Sequence, residues 1–144
     1  MSIKNEEDKL FESLRKKHPK IIDDGVINEE EYLKAKWKIM FVLKEVNNVE
    51  KDFSLRNYLK DDGRSQTWNN IARWSEGIYK LPEEKSWDYW KSDNENRRKY
   101  ILQKICAINL KKTSGGHTSN NKIIYQAALD LDNKKLLLKQ IEFI

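Results

Sequence analysis

The sequence predicts an α/β domain with a parallel sheet, and two short apolar runs are the main reason. Residues 39–43 (IMFVL) and 105–110 (ICAINL) lack a regular alternation of apolar and polar side chains, which is typical of strands buried on both faces. Segments with apolar residues at helical spacing lie before, between and after the two runs. Two buried strands joined through helices are expected to pair in parallel by a right-handed crossover, in a three-layer α/β/α arrangement.

Length and composition indicate one domain covering residues 1–144, with an N-terminal helical segment at 1–35. The five Trp and six Tyr argue against disorder, because disordered segments are poor in aromatic residues. The formal net charge of +5 is a mild excess that does not by itself indicate nucleic-acid binding. Two short basic clusters, at 96–104 and 109–117, are more typical of solvated faces than of a binding site.

Cysteine, histidine and apolar content exclude several classes of protein. Cys106 is the single cysteine, so no disulfide can form within the chain, which is typical of a reducing compartment. One cysteine and two distant histidines cannot build a Cys-rich zinc site or an iron–sulfur cluster, and we expect neither metal nor cofactor. No apolar run approaches the ~20 residues of a membrane span, and the acidic first residues lack a signal-peptide core. We therefore expect a cytoplasmic protein with no membrane partner.

Capping and turn residues set the expected elements before the first strand. Asn5, followed by three acidic residues, is predicted to cap a first helix that ends before Pro19. The sequence DDGV at 23–26 is typical of a turn. Asn28 with Glu31 resembles a capping box and predicts a short second helix.

The rest of the chain is expected to be helical apart from the second strand and its loops. Residues 61–66 predict a turn, and 67–79 predict a helix whose broad apolar face includes Trp68 and Ile71, with Trp74 at its edge. We interpret this aromatic stripe as core rather than as a platform for stacking bases. Residues 97–104 continue as a helix, 114–121 form a glycine-containing loop, and two helices follow.

Polar residues follow both predicted strands, where open α/β sheets bind their ligands. Lys44 and Glu45 follow the first run, and Asn109, Lys111 and Lys112 end the second. A carboxylate there can orient a water, an Asn can bind the amide-like edge of a nucleobase, and lysines can hold phosphates. A solvated strand end is the alternative for Lys44 and Glu45.

The loop after the second strand adds three further candidates. Gly115 and Gly116 would let a ligand approach the backbone closely. His117 is a candidate proton donor, although a lone histidine in a loop is more often simply exposed.

The segments around both strands resemble the uracil-DNA glycosylase superfamily over residues 36–48 and 100–144. FVLKEVNN takes the place of the first family motif, of the type G-E-A-P-G or G-Q-D-P-Y, and AINLKKT resembles the T-N-x-x-K pattern. The resemblance implies that Glu45 handles the catalytic water, Asn109 binds the base and Lys112 matches the motif lysine. Lys44 replaces the motif glycine, and Asn47 replaces its proline and is a second base-binding candidate.

The resemblance also implies a function and a partner. It implies a DNA glycosylase-like hydrolase of N-glycosidic bonds, with DNA phosphates held by Lys44, Lys111 and Lys112 and a base flipped into the crevice. Family members continue into further strands and an H-P-S type motif, so we expect a sheet that is incomplete at the C-terminus, and weak or no activity. Two strands alone bury too little for stability, so we expect the chain to be a shortened form of a longer protein of this fold. Unusually good packing of the N-terminal helix, or a partner such as a second copy of the chain that completes the sheet, are the alternatives.

Two alternatives from other classes remain. A nucleic-acid-binding or nucleotide-binding module would keep the fold but lack the hydrolytic step. A protein-interaction domain would need a partner chain to complete its sheet.

Overall fold

A three-stranded mixed sheet lies at the centre of the computed structural model, which describes residues 2–47 and 53–144. Its strands are β1 (Gly25–Val26), β2 (Ile39–Leu43) and β3 (Ile105–Asn109), in the order β1-β3-β2. β2 and β3 pair in parallel, with Leu43 opposite Asn109, so the predicted strands and their parallel pairing are confirmed. β1 pairs with β3 antiparallel, and the sheet is therefore mixed rather than purely parallel.

β1 replaces the turn that was predicted from DDGV, and its first residue explains why the pattern was misleading. Gly25 has a φ of +125°, a conformation that favours glycine. A Cβ at this position would lie 2.0 Å from Oε1 of Glu7. The Glu7 carboxylate in turn accepts a hydrogen bond from the backbone N–H of Val26. Glycine is thus needed for a close approach of α-helix to strand, and not for a turn.

Eight α-helices surround the sheet in the described part of the chain: α1 (Ile3–Arg15), α2 (Glu29–Lys34), α3 (Leu55–Lys60), α4 (Ser65–Lys80), α5 (Trp87–Lys91), α6 (Asn94–Ile101), α7 (Asn121–Leu129) and α8 (Leu131–Glu142). α1 begins earlier than predicted, because Ser2 and not Asn5 is its N-cap. The predicted cap of α2 is confirmed, since the Asn28 side chain accepts from the N–H of Glu31. None of the helices in the described ranges has the length and apolar character needed to span a bilayer.

The two faces of β3 pack against different helices. Ile105 and Ala107 belong to a core cluster with residues of α3, α4 and α6. Cys106 and Ile108 belong to a second cluster with residues of α2 and α8. Because successive strand residues point to opposite faces, helices cover both sides of this strand. All five residues of β3 are buried, as the apolar run predicted.

β2 and α4 are less buried than their sequences indicated. β2 is an edge strand, and Val42 is 51% exposed, so the prediction of two buried faces is wrong for this strand. On α4, Trp68, Ile71 and Ala72 are buried, which confirms the core interpretation for them. Trp74, at the edge of that face, is 60% exposed.

Candidate functional site

The chain segments that leave β2 and β3 continue side by side beyond the sheet. The N–H of Leu110 donates to the carbonyl of Leu43 at 2.8 Å, and the N–H of Lys111 donates to the carbonyl of Lys44 at 2.9 Å. Further along, the N–H of Gly115 donates to the carbonyl of Val46 at 2.8 Å. The polar residues after both strands therefore lie at the same edge of the sheet, as the parallel arrangement predicted.

Glu45 is a largely buried carboxylate in an ion pair with Lys111. Its Oε2 lies 2.6 Å from Nζ of Lys111, and its side chain is 6% exposed. Burial tends to raise the pKa of Glu45, but the hydrogen bonds from Lys111 and Ser119 and the nearby lysine charges outweigh it and hold the pKa below its ordinary value. Glu45 is therefore an ionised carboxylate at neutral pH.

The ammonium group of Lys111 binds acceptors within the protein. Besides Glu45, its ammonium group donates to the carbonyls of Thr113 at 3.2 Å and Ser114 at 2.8 Å. An ammonium group has three N–H donors, and three acceptors in the chain use them. This corrects the expectation that Lys111 is free to bind a DNA phosphate.

Gly115 makes room for the Glu45 carboxylate. A Cβ at Gly115 would lie 2.1 Å from Cδ of Glu45, whereas a Cβ at the neighbouring Gly116 would meet nothing within 4 Å. The loop glycine that was predicted to admit a ligand thus admits a side chain of the protein.

We expect Gly115→Ala to displace Glu45 and break its ion pair with Lys111. Overpacking of this kind costs about 1–3 kcal/mol of unfolding free energy, which chemical denaturation will detect. Gly116→Ala is the matched control and should leave stability unchanged, because its Cβ points into open space. Equal stability of the two variants would contradict the close contact between Gly115 and Glu45.

Asn109 presents a buried oxygen that has no partner. The residue is 1% exposed, and both its backbone N–H and its side-chain Nδ2 donate to Oδ2 of Asp24, at 2.7 and 3.2 Å. Its Oδ1 accepts no hydrogen bond from any described residue. Because a carboxylate accepts hydrogen bonds, Asp24 can pair with the amide nitrogen of Asn109 but not with its amide oxygen, and it thereby determines which way the amide points. Asn109 therefore offers an acceptor.

Lys112 lies inside the protein and is not a phosphate ligand. It is 4% exposed, and its Nζ lies 2.6 and 2.8 Å from the two carboxylate oxygens of Asp24 and 2.7 Å from Oε1 of Gln140. These contacts use all three of its donors. The role that the sequence indicated for Lys112 is corrected: the lysine holds Asp24, which in turn orients Asn109.

A buried ion cluster surrounds Asp24 and is defined here by Glu7, Asp23, Asp24, Arg56 and Lys112. Nη2 of Arg56 lies 3.0 Å from Oδ2 of Asp23, and Nη1 of Arg56 lies 3.5 Å from Oε2 of Glu7. Burial raises the pKa of Glu7 to about 7, although the charge of Arg56 and the hydrogen bond from the Val26 N–H act in the opposite direction. The cluster connects α1, the segment before β1, α3 and the end of β3.

A cavity of about 410 Å³ opens at the carboxyl ends of β2 and β3. Glu45, Asn47 and Asn109 all line it, and together with Lys44 the structure brings four of the predicted site residues to one crevice. Lys44 lines the same cavity, is exposed, and donates to Oδ1 of Asn121 at 3.0 Å. Gly116 and His117 are exposed and do not line it.

The other half of the cavity comes from residues that the sequence analysis did not select as site residues. They belong to α3, α4 and the segments just before them: Phe53, Leu55, Tyr58, Arg64, Thr67 and Trp68. The helical pattern of α4 assigned Trp68 to the core, and it gave no sign that the first turn of the helix faces the strand ends. Asp24 was missed because it lies in a segment that reads as a turn.

Neither a metal-binding cluster in the described part of the chain nor a similar protein indicates what the cavity holds. In the described residues, no three His, Cys, Asp or Glu side chains come together as a metal ion would require. Comparison of the chain with models of protein families, with curated proteins and with solved structures found no match.

Proposed function

We propose that the cavity binds a nucleobase and that the chain is a DNA glycosylase-like protein, which hydrolyses the N-glycosidic bond of a modified base. One observation carries the proposal. The buried Oδ1 of Asn109 has no donor among the described residues, and Asn109 lines the same cavity as the ionised carboxylate of Glu45. An unsatisfied buried acceptor is costly, so a ligand that supplies an N–H group is favoured there.

The cavity suits a flat heteroaromatic ligand. Its volume lies in the range of small-molecule sites, and Phe53 and Trp68 supply aromatic surface beside the polar Asn109. Asp24 binds the amide nitrogen of Asn109 and leaves only the amide oxygen without a partner, so the base must present an N–H donor. Uracil and hypoxanthine both carry such a donor on the edge that is free in a nucleoside.

Glu45 is the candidate catalytic residue. Its ionised carboxylate can hold and orient a water that attacks the sugar carbon C1′ while the bond to the base breaks. The water releases one proton to solvent by way of Glu45 as its oxygen bonds to C1′, and the base leaves with the electron pair of the broken bond and takes a proton from solvent. No histidine is found among the described residues that line the cavity, so leaving-group stabilisation is limited and we expect weak excision.

The fold and the DNA contacts belong to the same proposal. Helices on both faces of β3 support a three-layer arrangement of the uracil-DNA glycosylase type, and the parallel β2–β3 pair supports the placement of both motifs. Lys44 remains a candidate for a DNA phosphate, because it is exposed at the cavity.

A non-catalytic nucleic-acid-binding module is the second candidate, and the ion pair of Glu45 favours it. Lys111 Nζ lies 2.6 Å from one carboxylate oxygen and competes with a water for it. In this case the cavity binds a base without hydrolysis.

Base release tests the enzymatic proposal. Oligonucleotides containing uracil, hypoxanthine, xanthine or hydroxymethyl-pyrimidines are incubated with the protein, and abasic sites are then cleaved with alkali. We expect slow strand breakage that Glu45→Gln abolishes and that Glu12→Gln, an exposed change on α1, leaves unchanged. Breakage that survives in Glu45→Gln would contradict the role of Glu45, and no breakage with any substrate would favour the binding module.

Recognition of the base is tested by changing the ligand while the buried Asn109 is left in place. Titration with uracil and with 3-methyluracil compares two ligands that differ by one N–H donor. We expect methylation to weaken binding about fivefold or more, because leaving a buried acceptor without its hydrogen bond costs about 1–3 kcal/mol. Equal affinities would contradict recognition by the Asn109 oxygen.

A further inference from the structure

Three polar side chains of the cavity have no hydrogen-bond partner in the described part of the chain. They are the guanidinium group of Arg64 and the hydroxyl groups of Tyr58 and Thr67, and all three residues line the cavity. Arg64 is exposed and also makes no ion pair with any described residue. These groups donate hydrogen bonds, in contrast to Asn109, whose unpaired atom accepts.

The first turn of α4 lies beside these side chains, since Thr67 and Trp68 line the cavity, but its free backbone donors belong to Ser65 and Gln66, which do not line it. Arg64 is the N-cap of this 16-residue helix, and its side chain makes no capping hydrogen bond. The N–H groups of Thr67 and Trp68 donate to the carbonyl of Arg64, whereas those of Ser65 and Gln66 have no acceptor among the described residues. Free N–H groups and the positive end of the helix dipole favour an anion at such a terminus.

The cavity therefore combines a buried acceptor that has no partner with exposed donors that no other described residue uses. Asn109 is 1% exposed and its free oxygen calls for an N–H donor, which points to a ligand independently of the helix terminus. An anion is favoured beside Arg64 and Thr67, which lie at the positive end of the α4 dipole. Apolar side chains such as Leu43 and Phe53 line the same space. A nucleotide has these three parts, since it joins a base with N–H groups to a sugar and a phosphate.

We propose that the Arg64 guanidinium group and the Thr67 hydroxyl group, at the positive end of α4, form a phosphate subsite for the nucleotide whose base contacts Asn109. This inference rests on the proposed function, because it assumes a base at Asn109. It also assigns the phosphate contact to Arg64 and not to the lysines that the sequence indicated. Lys111 and Lys112 are occupied within the protein, whereas Arg64 has a guanidinium group that can bind phosphate in a bidentate manner.

The test compares a nucleoside with its monophosphate. Dissociation constants for deoxyuridine and dUMP, and for deoxyinosine and dIMP, are measured with the wild-type chain, Arg64→Gln and the control Lys20→Gln. Lys20 is exposed and lies outside the cavity, so its replacement removes the same charge elsewhere. We expect Arg64→Gln to weaken monophosphate binding about tenfold or more, to leave nucleoside binding within about twofold, and to reduce the salt dependence of monophosphate binding. Lys20→Gln should change none of these.

The outcomes separate this inference from the proposed function. If wild-type protein binds nucleoside and monophosphate equally, or if Arg64→Gln weakens both equally, the phosphate subsite is overturned while base recognition stands. If neither ligand binds, the subsite is overturned as well, and base release from oligonucleotides then reports on the proposed function by itself. A loss confined to the monophosphates supports the subsite.

Discussion

Replacing Lys112 with methionine should lower the free energy of unfolding by about 3–5 kcal/mol, the cost of leaving one charge of a buried ion pair without its partner. Both carboxylate oxygens of Asp24 lie within 2.8 Å of the Lys112 ammonium group, and Asp24 is fully buried. Methionine fills a similar volume, so the loss reports mainly on the charge. Urea denaturation at pH 7 measures the difference.

Two further variants make this result interpretable. Lys44→Met removes a lysine at the exposed end of β2 and should change stability by no more than about 0.5 kcal/mol. Asp24→Asn combined with Lys112→Met removes both charges and should recover part of the loss, because no buried charge is then left alone. A loss below about 1 kcal/mol for Lys112→Met would show that Asp24 does not depend on this lysine.

Glu7→Gln should stabilise the protein at pH 8 relative to wild type, and by much less at pH 5. Burial raises the pKa of Glu7 in the folded chain to about 7, from 4.5 for an unperturbed glutamate. The folded state therefore retains a proton that the unfolded state has lost between these two values. The contribution of protonated Glu7 to the free energy of unfolding is fully present below pH 4.5 and is lost as the pH rises through about 7.

Between the unfolded and folded pKa values of Glu7, the free energy of unfolding of the wild-type protein falls by about 1.4 kcal/mol for each pH unit. We expect the difference in unfolding free energy between Glu7→Gln and wild type to grow by about 2–3 kcal/mol from pH 5 to pH 8. Gln140, Arg56 and Asp24, which surround position 7, are the same in both proteins, so the difference isolates the titration of Glu7. Glu12→Gln, on the exposed face of α1, should follow wild type at every pH. Parallel curves for Glu7→Gln and wild type would contradict a raised pKa.

The two longer strands and most helices were predictable because their signals are local. The apolar runs at Ile39–Leu43 and Ile105–Asn109 gave the strands directly, and Asn28 marked the start of α2. β1 has only two residues and begins with a glycine in a left-handed conformation, so no pattern of strand residues exists to detect. The exposure of Val42 reflects its place on an edge strand, which is a property of the sheet rather than of the run.

The candidate site was predictable only at the strand ends. Because the carboxyl ends of parallel neighbours meet at one edge, Glu45 and Asn109 could be placed at a common crevice, and both line the cavity. The destination of Lys112 could not be predicted, since its partner Asp24 lies 88 residues away in the chain. A lysine after a strand has the same local signal whether it faces solvent or closes a buried ion pair. The contribution of Arg64 likewise depends on how α4 packs.

The exposed edge of β2 has a consequence for aggregation. Among the described strands β2 pairs with β3 alone, so its other edge carries backbone groups that a second chain could use. A second copy that completed the sheet by antiparallel pairing centred on Phe41 would bring Lys38 of each chain opposite Lys44 of the other. Like charges at directly opposed positions are destabilising in such pairs. The lysines on either side of the IMFVL run thus act against self-association through this edge of the sheet.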